Sequence, residues 1–214
     1  MSTSDNASTL QRWGLRKAIW SKLMGWAKPW FFLCRVNALE IEAYPEVAPP
    51  GGQLTIRLAT REDLLAAAEE YPDQLSASFV EEAMSRGDYC VAAFDQAQMV
   101  AWAWASFDLA PHGDGLWVKV EPPYSYGYKW YTKPEYRGRG IILQLTVLRD
   151  KIGREAGRTH NIGFVETHNY ASWRSTRRLG SHMVGYAGYF KLFGKPYPFR
   201  TPGVVKHSFR FVRR

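Results

Sequence analysis

Apolar and polar positions change period several times along the chain, and each change predicts an element. "LTIRLA" at 54–59 alternates as a strand does. Thr60-Arg-Glu-Asp63 has the spacing of a capping box and predicts a helix over 62–71. Ser78-x-x-Glu81 predicts a second helix, ended by Arg86-Gly87-Asp88. "YCVAAF" and "MVAWAWASF" are apolar runs separated by Asp95-Gln-Ala-Gln98, which predicts a hairpin. "LWVKV" at 116–120 and "YSYGYKWYT" at 124–132 continue the strands. Ile141, Ile142, Leu145, Leu148 and Ile152 share one face of a helix over 141–157, with Gly157 near its end. "NIGFVETH" at 161–168 reads as a strand, 169–179 as a polar helix, and 182–189 and 204–212 as closing strands. This order predicts a fold of the α/β (α+β) class, with a mixed sheet flanked by helices.

The N-terminal pattern is different. Residues 1–9 are rich in Ser, Thr and Asn and read as a disordered terminus. From Leu10 to Val36 there is no acidic residue, and Trp13, Trp20 and Ala27 recur at a spacing of seven, with Ile19, Leu23 and Trp26 nearby. Basic residues fill the gaps, so this segment predicts a basic amphipathic helix stopped near Pro29. Such a helix either packs on its own domain or lies on an anionic membrane surface. Tyr44–Gln53 has the composition of a linker. The expected organisation is a disordered terminus at 1–9, a basic helix and linker at 10–53, and a domain at 54–214.

Charge sharpens this division. The net charge is +8, yet residues 1–36 carry +5, residues 186–214 carry +7 with no acid, and the middle is −4. Basic ends on an acidic body suit a polyanion or an anionic membrane as partner, through residues 10–36. No motif that reads nucleic acid accompanies them, so nucleic acid is not expected. Cys34 and Cys90 lack metal-ligand spacing, and Cys90 lies in a strand pattern, which argues for a reducing compartment without a disulfide framework or a metal. The polar N-terminus and the short aromatic run Trp30–Leu33 predict neither a secretory signal nor a membrane span. The expected location is cytoplasmic, extended to a peripheral place at the inner membrane face, and a homodimer is an expectation for the assembly.

The stretch with most chemistry is "KWYTKPEYRGRGIILQL", Lys129 to Leu145, which reads as strand, tight turn and helix. A helix N-terminus offers unpaired N–H groups and the positive end of the helix dipole. Gly138 and Gly140 let the backbone curl there, and Arg137 and Arg139 add charge-assisted contacts to a phosphate. The turn fits neither common nucleotide loop: a Walker loop needs Gly-Lys-Ser/Thr, and the dinucleotide fingerprint would need glycine where Leu143 stands.

Arg137, Gly140 and the upstream Pro134 instead resemble the acyl-CoA loop of the GCN5-related N-acetyltransferase (GNAT) superfamily, with Ile142 where that pattern has Gly or Ala. Asn169, Ser172, Thr176, Gly180 and Ser181 follow the family's next spacing, with Thr176 where a Tyr is usual. The resemblance covers roughly residues 54–189 and implies a mostly antiparallel, twisted GNAT-like sheet, with acetyl-CoA or a longer acyl-CoA as co-substrate and no metal. It implies that Arg137, Gly138, Arg139, Gly140, Ile141 and Ile142 hold the pyrophosphate. Trp130, Tyr131 and Thr132 would lie along the pantetheine arm, with a backbone N–H near Tyr131 or Thr132 polarising the thioester. Asn169 would bind pantetheine or cap the next helix.

The implied activity is transfer of an acyl group to a primary amine of a small molecule or of a lipid- or envelope-related acceptor. Glu166 and His168 alternate onto one face of the strand at the presumed site and are the candidate bases. Trp102, Trp104, Tyr124, Tyr126 and Tyr128 are either core or an aromatic pocket wall. Thr176 and Ile142 also support an alternative, a catalytically degenerate module that binds acyl-CoA as a sensor.

Overall fold

The computed structural model describes residues 14–41 and 54–214. The predicted disordered terminus at 1–9, Trp13 and the linker at 44–53 lie outside the described residues. The elements are α1 (Leu15–Ala27), β1 (Phe31–Glu40), β2 (Leu54–Leu58), α2 (Arg61–Glu70), α3 (Ala77–Ser85), β3 (Tyr89–Asp95), β4 (Gln98–Ser106), β5 (Leu109–Gly113), β6 (Leu116–Lys119), β7 (Tyr124–Thr132), α4 (Ile141–Glu155), β8 (His160–Glu166), α5 (Tyr170–Arg178), β9 (His182–Leu192), β10 (Lys195–Arg200), α6 (Pro202–Lys206) and β11 (Arg210–Arg213). The predicted capping box forms: the Asp63 N–H donates to Thr60 Oγ1 at 3.2 Å, and the Thr60 N–H donates to Asp63 Oδ2 at 2.7 Å. Contacts divide the chain into two units, named here for their place in the sequence. The central unit holds Leu39–Ala110 and Val120–Gly163, and the terminal unit holds the residues up to Ala38, Pro111–Lys119 and Phe164–Arg214.

In the central unit the strand order is β8-β7-β4-β3-β2. The pairs β2–β3, β3–β4 and β4–β7 are antiparallel, and β7–β8 is parallel with α4 as the crossover. This is the mixed, mostly antiparallel sheet flanked by helices that the sequence predicts. Side-chain alternation gives each face its own cover. Val91, Ala93, Val100, Ala101 and Ala103 form one buried cluster with Ile141 and Leu145 of α4. Burying each of those two large α4 side chains is worth about 1.5–3 kcal/mol. Trp102 and Trp104 are fully buried beside the rings of Tyr71 and Phe79, at 5.6 Å and 5.2 Å between centroids. They are core residues rather than the wall of an open pocket.

The terminal unit departs further from expectation. Phe31–Glu40 was expected as the end of a helical segment and its linker, yet it forms β1 and pairs with β9 from Phe31↔Phe190 to Ala38↔His182. The division near residue 53 therefore does not coincide with either compact unit. Contrary to the strand expected at 204–212, Pro202–Lys206 is helical and β11 begins at Arg210, because Pro202 stands at the first helical turn where its missing N–H costs nothing. Strand β9 runs on to Leu192 and turns into β10, giving the order β10-β9-β1. Pro196 and Pro198 lie opposite Lys191 and Tyr189 in that outer strand, where positions turned away from β9 need no N–H. The Arg213 Nε–H donates to the Pro196 carbonyl at 3.0 Å.

Helix α1 buries Ser21 and Met24. The Trp20 Nε1–H donates to Thr167 Oγ1 at 3.2 Å, and the Tyr170 hydroxyl donates to the Lys17 carbonyl at 3.3 Å. Both cysteines are free and buried, and burial pushes both thiols well above their usual range. Among the described residues no helix is long and apolar enough to cross a membrane.

A ring cluster fills the core of this unit around His112, with centroids of Phe32, Phe164 and Phe211 at 4.9, 5.3 and 4.8 Å. Burial there disfavours the imidazolium and lowers the His112 pKa from 6.5 to about 4. The unfolded chain takes up this proton below about 6.5, whereas the folded chain does so only below about 4, so stability falls as pH drops through that window. The loss is at most ~1.4 kcal/mol per pH unit. His112→Phe should flatten the dependence of Tm on pH between those limits. An unchanged slope in a calorimetric pH series would refute this assignment.

Candidate functional site

The parallel pairing of β7 with β8 is short: only Tyr124↔His160, Ser125↔Asn161 and Tyr126↔Ile162 are in register. From Gly127 onward β7 is registered with β4 alone among the described residues. Within that stretch Trp102 faces Tyr131 but Trp104 faces Tyr128, so β7 carries one extra residue, and Lys129 takes φ = 49°. The ladder resumes with the Lys133 N–H donating to the Val100 carbonyl at 2.9 Å. Alternation then turns the Thr132 N–H and C=O away from β4. Of the two residues whose N–H was considered for polarising a thioester, Thr132 is therefore the one that presents it outward.

The chain then makes one turn of 3-10 helix over Pro134–Tyr136 and reaches Arg137. Gly138 and Gly140 have φ of 81° and 74°, in the left-handed region, and a Cβ at either would meet no other atom within 4 Å. Glycine is therefore needed there for backbone geometry rather than for space. Gly140 is the N-cap of α4, and no side chain caps the helix. Its carbonyl accepts from the Leu143 N–H at 3.0 Å, while the Ile141 and Ile142 N–H groups point out of the helix end.

The Arg137 Nε–H donates to the outward Thr132 carbonyl at 3.1 Å, and the Arg139 Nη2–H donates to the Glu135 carbonyl at 3.0 Å. The Arg139 guanidinium also lies over the Tyr136 ring, 4.8 Å from its centroid. Both arginines are exposed. Ile142 turns its side chain onto the core cluster, which takes its bulk away from the turn. The structure thus brings together Trp130, Tyr131, Thr132 and Arg137 through Ile142 in the central unit.

Glu166, His168 and Asn169 belong to the terminal unit. His168 Nε2 lies 3.1 Å from Glu166 Oε2, so the two candidate bases meet as one pair. The Arg35 Nη1–H holds the intervening Thr167 carbonyl at 2.8 Å. Asn169 Oδ1 accepts from the Ser172 N–H at 3.1 Å, which makes it the N-cap of α5. The Thr176 hydroxyl donates to the Ser172 carbonyl at 2.9 Å, one turn back along the helix.

One part of this region went unpredicted. Beneath Gly127 lies Arg149 of α4, only 1% exposed, with Nη2 at 2.7 Å from Asp150 Oδ1. Asn161 Nδ2–H donates to the same carboxylate oxygen at 3.1 Å. The guanidinium lies 4.6 Å from the Trp130 ring centroid, and among the described residues its Nη1 has no hydrogen-bond partner. Burial lowers the Arg149 pKa to about 10 and raises that of Asp150. The signal available in the sequence was an Arg-Asp pair placed beside Leu145, Leu148 and Ile152 in a helix with an apolar face. Among the described residues no group of His, Cys, Asp and Glu could hold a metal ion.

No family model and no curated protein matches the sequence. Among solved structures the chain is similar to a Drosophila protein, with a TM-score of 0.54 at 13% identity over 88% of this chain. It spans 59% of that protein's length. It is also similar to an aminoglycoside N-acetyltransferase, AAC(6')-Iy in complex with CoA, at TM-score 0.49 and 18% identity over 63% of this chain and 91% of that one. A GCN5-related N-acetyltransferase from Kribbella flavida gives 0.47 and 16% over 79% of this chain and 60% of that one. At such identities likeness concerns the fold alone.

Two glycines of this region should respond differently to alanine. A Cβ on Gly127 would lie 2.0 Å from Arg149 Nη1 and 2.8 Å from its Cζ, so Gly127→Ala must displace a buried, paired guanidinium. A loss of about 3 kcal/mol in urea unfolding is expected. Gly140→Ala should cost only about 1–2 kcal/mol, the penalty of the left-handed conformation. Equal costs would contradict the packing described for Gly127.

Proposed function

We propose that this chain is an acyl-CoA-dependent N-acyltransferase. The reading is carried by one observation: an uncapped helix N-terminus at a left-handed Gly140, preceded by Arg137 and Arg139, follows strand β7, whose parallel pairing with β8 stops at Tyr126. Outward N–H groups, the helix dipole and two cations suit the pyrophosphate of coenzyme A. The edge of β7 turned away from β4, from Gly127 to Thr132, suits an extended pantetheine arm, which pairs with backbone as a strand would.

In the proposed reaction the amine nitrogen attacks the thioester carbonyl carbon. The Thr132 N–H stabilises the oxygen as it gains charge. The C–S bond then breaks, coenzyme A leaves as a thiolate, and the nitrogen loses its proton. The Glu166–His168 pair is proposed to accept that proton, supported by its 3.1 Å contact. Thr176 is not proposed as the proton donor to the thiolate, since a Thr hydroxyl is a very poor acid and this one donates to the Ser172 carbonyl. The proposed acceptor is a primary amine of a small molecule or of a lipid- or envelope-related compound. That Thr176 contact also favours a second reading, an acyl-CoA-binding sensor without turnover.

Calorimetric titration with acetyl-CoA, longer acyl-CoAs and free CoA tests the donor. Wild type should bind, and Arg137→Ala with Arg139→Ala should weaken binding about tenfold per arginine. No binding of any thioester would sink the donor assignment. With an amine present, Glu166→Gln should lower kcat more than it changes donor affinity. Donor binding without turnover toward any amine would favour the sensor.

A further inference from the structure

Helix α1 turns an apolar side outward. At about 100° per residue, Leu15, Ile19, Leu23 and Trp26 fall within a sector of about 80°, with Lys22 at one margin and Arg16 at the other. All four are exposed, Trp26 to 71%. The opposite side of the helix does the packing, through Met24, Ser21 and the Tyr170 bond to Lys17. The stripe continues past the helix end: the Trp26 and Trp30 rings meet edge to face at 5.6 Å. The Trp30 carbonyl accepts from the Lys191 N–H at 2.7 Å, which ties this end of the stripe to the β9–β10 hairpin. The hairpin turn carries Phe193, 92% exposed.

At the same corner opens a cavity of about 360 Å³, lined chiefly by Lys28, Pro29, Phe32, Asp114, Tyr189 and Lys191. The Asp114 carboxylate is held by Lys191 Nζ at 2.6 Å and by the Tyr189 hydroxyl at 2.7 Å, and the lysine contact keeps its pKa below the usual range. Its charge is therefore already answered within the cavity. Lys28 is exposed at the junction of α1 and β1.

An exposed tryptophan in a helix without an acidic residue, a second just past its end, and cations on both margins have the chemistry of a helix that lies in a membrane interface. A continuous apolar stripe of this kind is unfavourable in water unless something covers it. We propose that the terminal unit docks on an anionic phospholipid membrane through Leu15, Ile19, Leu23, Trp26, Trp30 and Phe193, and that the Lys28–Lys191 cavity receives a headgroup phosphate. Charge complementarity selects this occupant. The seven Lys and Arg of residues 186–214, with no acid, belong to the same unit and add to the attraction.

Flotation of the full chain with vesicles tests the proposal. Wild type should float with vesicles of mixed phosphatidylglycerol and phosphatidylcholine, but far less with phosphatidylcholine alone, and salt at about 0.5 M should weaken the binding. Trp26→Ala combined with Phe193→Ser should weaken it about tenfold or more. Lys28→Gln should weaken it about fivefold. These side chains are exposed, and unchanged Tm and circular dichroism would show that the variants are folded. Absent flotation with anionic vesicles, or equal flotation by the variants, overturns the proposal. So does a wild-type dimer in analytical ultracentrifugation that Trp26→Ala with Phe193→Ser dissolves, which would make the face a self-contact. Binding of glycerol phosphate that depends on Lys28, without vesicle binding, would make the cavity a site for a soluble phosphate ester instead.

Discussion

The buried guanidinium of Arg149 ties together three elements of the central unit. A charge taken fully out of water is tolerated only when paired and supported, and losing a partner costs about 3–5 kcal/mol. Here Asp150 supplies the pair, Asn161 supports the carboxylate, and the Trp130 ring covers the cation. These partners come from α4, β8 and β7, so one ion pair holds the helix and both strands of the parallel unit. Position 127 must then be glycine, since a side chain there would occupy the guanidinium's place. The extra residue at Lys129 restores register with β4 before the turn, which delivers Thr132 with its N–H outward.

Much of this was legible in the sequence wherever local chemistry decides structure. The arginine-glycine turn was visible because positive φ selects glycine, and α4 because its apolar residues keep helical period. The Thr60–Asp63 box was visible for the same local reason. Strand β1 was hidden because "FFLCRVNALE" is covered on both faces over much of its length, so alternation is lost, and because it follows a basic helix. Strand β10 was hidden by Pro196 and Pro198, which normally argue against a strand and are tolerated here only because it lies at an edge.

The candidate site was legible in part. The turn residues and the Glu166–His168 pair are local, so spacing of one or two residues sufficed. Asn169 is the cap that its type suggests. The Arg149–Asp150 pair comes within reach of Gly127 only through the tertiary fold, and Asp114 and Tyr189, 75 positions apart, meet each other in the same way. The uneven charge also gains a structural meaning. The described part of 1–36 and all of 186–214, the two basic ends of the chain, fold into one unit, while most of the acidic middle forms the other.

The prolines of β10 have a consequence for assembly. An outer strand normally offers a row of free N–H and C=O groups on which a strand from another molecule can grow. At positions 196 and 198 the outward N–H groups do not exist, and the outward carbonyl of Pro196 is already taken by Arg213. Two of the donors that strand addition at this edge would need are therefore missing. A strand added at β10 would lack the hydrogen bonds of those two positions, and the ladder that feeds fibrillar aggregation is interrupted there.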